Sequence, residues 1–160
     1  LERISLFTGK LSSWLLFFMM LACCIIVVLR YGFHIGSTAL QDVLMYLHGC
    51  AFLLGAAYTL RMDDHVRVDI LYRHFSTQQE AWVDASGTLF FLLPFCAFLM
   101  WFGWIFFQNA YVFKEGSAEP GGLPYVYWLK GMIPLAFVLL FLQAISTFLK
   151  AAHVLVFNRD

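Results

Sequence analysis

Four long stretches without a single Asp, Glu, Lys or Arg constrain this chain more than any motif in it: residues 11–29, 43–60, 85–113 and 131–149. A bilayer's hydrocarbon core is about 30 Å thick, and a helix rising about 1.5 Å per residue crosses it in about 20 apolar residues. Helices buried in a soluble protein carry a polar stripe on their outer side, and these windows carry none. Composition agrees: of 160 residues, 62% are hydrophobic and 12% charged, against about 25% charged in an average soluble domain. So few charges cannot cover the surface of a soluble domain this size. The expected fold is an all-α integral membrane protein, a single four-helix domain over residues 1–160 with spans at about 11–30, 43–60, 85–113 and 131–150.

The first window reads as a span and not as a cleaved signal peptide. Its apolar run is long for such a segment, and "YGFHIG" follows it where a small-x-small cleavage site would be needed. Cys23, Cys24, Cys50 and Cys96 fall inside apolar windows, where a thiol packs as a small hydrophobe and suggests no disulfide framework. Four spans put the N-terminus, the connection 61–84 and the C-terminus on one side of the membrane. That side holds Arg3, Lys10, Arg61, Arg67, Arg73, Lys150 and Arg159, seven of the ten basic residues. The positive-inside bias therefore predicts both termini in the cytoplasm.

The cytoplasmic connection, "RMDDHVRVDILYRHFSTQQEAWVDA", alternates charges with Val66, Val68, Ile70 and Leu71. Such a pattern predicts an interfacial amphipathic segment between helices 2 and 3. Two helix-start signals follow it, Ser76 with Gln79 and Thr77 with Glu80, each suited to a capping box. A helix from there to Phe113 would be about 55 Å long and would have to tilt, kink or begin along the interface. Pro94 is the kink candidate, because it lacks a backbone donor and crowds the preceding turn. An ordinary span preceded by a separate interfacial helix is the alternative.

Polar groups at membrane depth normally mark a transport pathway, and here they are few: His48, Gln108, Asn109, Gln143, Ser146 and Thr147. The amides and hydroxyls suit bonds between neighbouring helices. No carboxylate lies deep in any window, which argues against a proton relay, a sodium site or a stand-alone carrier. No phosphate loop, nucleophile elbow or zincin motif appears, so no enzyme activity and no cofactor are expected. A small haem-binding redox subunit is the alternative, and would need two histidines at similar depth, with His34 and His48 the pair available. Ala51, Gly55 and Thr59 recur at four-residue spacing, which lets another helix approach closely, within the unit or from a partner.

Two stretches resemble one family. "RMDDHVRVDIL" directly after the second span contains a His-Val-x-Val-Asp core at His65, Val66, Val68 and Asp69, with Arg61 four residues upstream. "GSAEPGGLPYVYWLKGMIPLAFVLLFLQ" carries Pro124 before Tyr125, and Ile133 with Pro134 entering the last span. Both are similar to the small permease subunit of tripartite ATP-independent periplasmic (TRAP) transporters; the double glycine at 121–122 is a local variation. The resemblance implies a non-catalytic inner-membrane subunit in a sodium-coupled importer of organic acids such as dicarboxylates or sialic acid. It implies as partners a large multi-span membrane subunit and a periplasmic substrate-binding protein, besides membrane lipids and with no nucleic acid. The expected structural and interface residues are Arg61, His65, Arg67, Asp69, Gly55, Pro94, Pro124 and Pro134. The Arg61–Asp69 motif is expected to tie helices 2 and 3 together, through pairs with Asp63, Asp64 or Asp69, or with lipid phosphate.

Overall fold

The computed structural model describes residues 2–62 and 76–157, and among these every regular element is helical. Helix α1 (Glu2–Gly32) turns into α2 (Thr38–Arg61). Helix α3 (Thr77–Gly87) runs through a π-helical turn (Thr88–Leu92) into α4 (Leu93–Val112), and α5 (Val126–Phe157) returns beside it. Four rods are long and apolar enough to cross a membrane: Leu6–Gly32, Thr38–Leu60, Gln78–Val112 and Val126–Val156. Each outruns its charge-free window, because flanking polar residues such as Lys10 and Gln78 extend a helix into the headgroup layer without entering the hydrocarbon.

Local chemistry sets the helix ends. Ser37 caps α2, its Oγ accepting from the Leu40 N–H. Of the two start signals before the third span, Ser76 with Gln79 is the one used: Ser76 Oγ accepts from Gln79 N at 3.4 Å, and Gln79 Oε1 accepts from Ser76 N at 3.0 Å. This reciprocal pair satisfies two of the donors that a helix N-terminus leaves open. From there the helix continues unbroken into α4. The predicted interfacial segment falls mostly at 63–75, outside the described residues. The 35 residues of the third rod measure roughly 52 Å, so the rod tilts or projects from the bilayer.

Pro94 acts upstream of its own position. In an α-helix its ring would collide with the carbonyl four residues back, at Phe90. The chain meets this with a π turn over Thr88–Leu92, where the Leu93 N–H donates to the Thr88 carbonyl, five residues back. The wider turn moves the carbonyls away from the ring.

Helix α5 is the hub, packing against α2, α3 and α4, while α1 lies chiefly along α2. Lipid tails are as apolar as leucine, so helices in a bilayer associate through close fit and not through escape from water. Small side chains supply that fit: Ala51 on α2, Ala81 and Ala85 on α3, Cys96, Gly103 and Ala110 on α4, and Ala136, Ala144 and Ala151 on α5 are all buried. Cys96 and Leu140 form the centre, with Leu60, Leu92, Phe137, Leu139 and Phe141 around them. Gly9 receives the Tyr58 ring so closely that a Cβ there would stand 2.5 Å from it. Gly131 does the same for Phe107, at 3.0 Å.

Candidate functional site

Among the described residues, the densest polar construction lies where the 113–125 loop meets the start of α2. Helix α4 ends in a Schellman motif: the Glu115 N–H donates to the Ala110 carbonyl at 3.0 Å, and Lys114 N–H to that of Tyr111 at 3.2 Å. The motif puts Lys114 in the left-handed region, at φ 49°, a position more often filled by glycine. Its ammonium lies over the Tyr111 ring at 4.0 Å from the centroid and 5.5 Å from that of Tyr127. These contacts are worth about 0.5–1 kcal/mol at an exposed site and offset part of the backbone strain.

The loop then closes on itself and on α2. Ser117 N–H donates to the Leu123 carbonyl at 2.9 Å, and Gly122 N–H to that of Glu119 at 3.1 Å. Asp42, one turn into α2 and only 7% exposed, accepts from the Leu123 N–H through Oδ2 at 2.8 Å, a contact between residues 81 apart in sequence. A side chain at 122 would meet both this carboxylate and Ser117, and Gly121 sits at φ +78°. The double glycine is therefore structural: one residue supplies the turn and the next the close approach. Lys130 and Glu115 pair at 2.5 Å across the loop base, with the Lys130 ammonium 4.1 Å from the Phe106 centroid.

The expected interface residues are distributed differently. Gly55 faces Ser12 of α1, where an added Cβ would lie 3.6 Å from Ser12 Oγ, and its carbonyl accepts from Thr59 Oγ1 at 3.0 Å. It thus works inside the bundle, at the α1–α2 contact. Pro134 lies within α5 against Gly103, where a Cβ would stand 3.5 Å from the proline ring. Pro124 backs onto Gly116 at the loop base, and Pro94 follows the π turn. Arg61 closes α2; His65, Arg67 and Asp69 lie outside the described residues. Asp42 and Lys114 escaped notice in the sequence, and the double glycine at 121–122 was read only as a local variation. An isolated acid just inside an apolar helix, together with the double glycine, was the available signal for the clamp.

No three His, Cys, Asp or Glu side chains gather to hold a metal among the described residues. His34 occupies the α1–α2 turn, and His48 lies about 15 Å further along the axis from the first residue of α2. The two do not share a depth, so they do not form the opposed pair a membrane haem requires.

Residues 19–153 match the family of tripartite ATP-independent periplasmic transporters, DctQ component. The chain belongs to this DctQ family. A Haemophilus influenzae protein described as a TRAP transporter small permease protein is 33% identical over 101 residues, 62% of this chain and 62% of that relative. No solved structure matches. Membership makes this chain a multi-pass membrane protein of the TRAP small-permease kind, and the four apolar rods agree with it. Within the DctQ match lie all of α2 to α4, the clamp at Asp42 and most of α5.

Proposed function

We propose that this chain is the small, non-catalytic membrane subunit of a sodium-coupled secondary transporter that imports organic acids delivered by a periplasmic binding protein. The DctQ match across residues 19–153 carries this reading. In it, a large multi-span subunit holds the solute and sodium sites, and this chain braces that subunit while its moving part carries solute across. Spans free of any Asp, Glu, Lys or Arg at their centres support a bracing role, since a polar route normally needs such groups. Small-residue packing around the α5 hub supports it too, because close-fitted helices resist deformation. The chain sits in the bacterial inner membrane as one four-helix domain with both termini in the cytoplasm, as the seven-to-three basic asymmetry favours. Arg61, His65, Arg67 and Asp69 tie the second and third spans at the cytoplasmic surface, where lipid phosphate is also within reach.

Purification of the tagged chain in mild detergent, followed by mass spectrometry, tests the reading. A stoichiometric partner with many more spans is expected, and vesicles with this chain alone should take up no organic acid. Recovery of the chain alone, under conditions that keep other membrane complexes whole, would overturn it. For the motif, Arg67→Ala and Asp69→Ala, singly and combined, should lower complex yield and uptake; unchanged values in all three variants would refute its tying role.

A further inference from the structure

Helix α2 is enclosed except along one line. Between 38 and 60 the exposed side chains are Gln41, Met45, His48 and Phe52, with Met45 at 52% and Phe52 at 72% exposure, and the other described side chains are at least partly covered. Steps of four, three and four residues place all four within about 60° of one another around a helix turning about 100° per residue. That is the width of a seam for one additional helix.

His48 gives this seam an exposed titratable side chain inside a span. It is the eleventh residue of a 23-residue helix long and apolar enough to cross a membrane, and it lies about 7.5 Å inside the charge-free window that opens at Val43, so its backbone is within the hydrocarbon, toward the Asp42 end. Among the described residues no group hydrogen-bonds to it, and its neighbours on the seam at that depth are apolar. An imidazole carries a donor and an acceptor at neutral charge. Facing hydrocarbon, both would go unmet, and polar side chains at this depth almost always face protein. The exposed side of α1 carries mainly Trp, Phe, Leu, Ile and Val, for which lipid is an adequate neighbour, while that of α4 adds Gln108 and Asn109 in its last turns to a similar apolar set.

We infer that the Gln41–Met45–His48–Phe52 seam of α2 seats a transmembrane helix of the large membrane subunit, which presents a hydrogen-bonding side chain to His48 in the half of the span nearer Asp42. This rests on the proposed function for the existence of that partner and adds the surface and the polar contact through which it docks. The occupant is a hydroxyl-, amide- or carboxyl-bearing helix and not lipid, because only a partner of that chemistry supplies what the imidazole lacks. Met45 and Phe52, one turn to either side, would fit as knobs around the polar contact.

The test uses the whole chain in native membranes, with a photoreactive p-benzoylphenylalanine at Phe52 and, separately, at Trp101 on α4 as a comparison. An adduct from position 52 to a transmembrane peptide of the many-span partner, identified by mass spectrometry, is the expected result. His48→Leu should reduce partner retention in mild detergent roughly three- to twentyfold, the range of interhelical hydrogen bonds in bilayers, and His48→Asn should restore part of it. A position-52 adduct to lipid alone, or to a second copy of this chain, would overturn the inference even if the untagged partner still co-purifies. Partner retention unchanged in His48→Leu would also overturn the polar contact. If the wild-type chain retains no many-span partner at all, the proposed function fails first and this inference with it. The crosslink is read with His48 intact, so a variant that folds poorly does not remove the test.

Discussion

Removing the Asp42 carboxylate should release the 113–125 loop without unfolding the bundle. The carboxylate is 7% exposed and accepts from Leu123 N–H at 2.8 Å, the geometry of a charge-assisted bond. Such bonds contribute about 1.5–3 kcal/mol. Asp42→Ala loses that amount, while Asp42→Asn keeps a neutral acceptor and loses about half of it. The rest of the loop holds itself through Ser117–Leu123 and Gly122–Glu119 bonds, so the effect is local opening and not global melting. Amide hydrogen exchange of the peptide covering Ser117 to Leu123 should accelerate roughly ten- to hundredfold in Asp42→Ala, and less in Asp42→Asn. Gly122→Ala should act through the same bond, because its Cβ would stand 2.5 Å from Asp42 Oδ2. Because the same Cβ would also meet Ser117, Gly122→Ala combined with Asp42→Ala should be less than additive, with the Ser117 clash as the remaining effect. Additive effects of the pair, or exchange unchanged in Asp42→Ala, would refute the clamp.

Other outcomes follow from single contacts. Gly9→Leu should separate α1 from α2, since even a Cβ would collide with the Tyr58 ring; a loss of about 1–3 kcal/mol in detergent denaturation is expected, and Gly32→Leu, with open space around it, serves as the control. Ser76→Ala should cost about 1 kcal/mol and fray the start of α3, read by hydrogen exchange over residues 77–81. Lys114→Gly relieves left-handed strain but loses the tyrosine contacts, so its net effect on melting should stay within about 0.5 kcal/mol. Lys114→Val loses the contacts and keeps a branched side chain at positive φ, and should be worse by about 1–2 kcal/mol.

The four rods were legible because lipid tolerates no charged residue at mid-depth, and that demand is written residue by residue. Helix α3 announced its start through Ser76 and Gln79, since a capping box is local. The π turn was not legible: Pro94 marks a disturbance, but the accommodation falls at Thr88–Leu92, where one threonine and four apolar residues give no local sign of it. Which helix is the hub could not be read either, because α1, α2, α4 and α5 are apolar all round and no stripe points inward. Gly55 showed that close packing would occur, and only its position against Ser12 shows that α1 is what it receives. Asp42 and Leu123 are separated by 81 residues, and nothing local to either names the other.

The peripheral position of α1 has a consequence for how the protein is made. Helix α1 meets chiefly α2, its neighbour in the chain, and α4 meets α5, the next helix after it. Each pair can close as soon as its second member leaves the ribosome, and the first does so before any of the second exists. The main long-range steps are then the joining of α2 to α5 and the capture of Leu123 by Asp42. Synthesis from the N-terminus thus delivers two ready-made hairpins, and α5 is the helix that joins them.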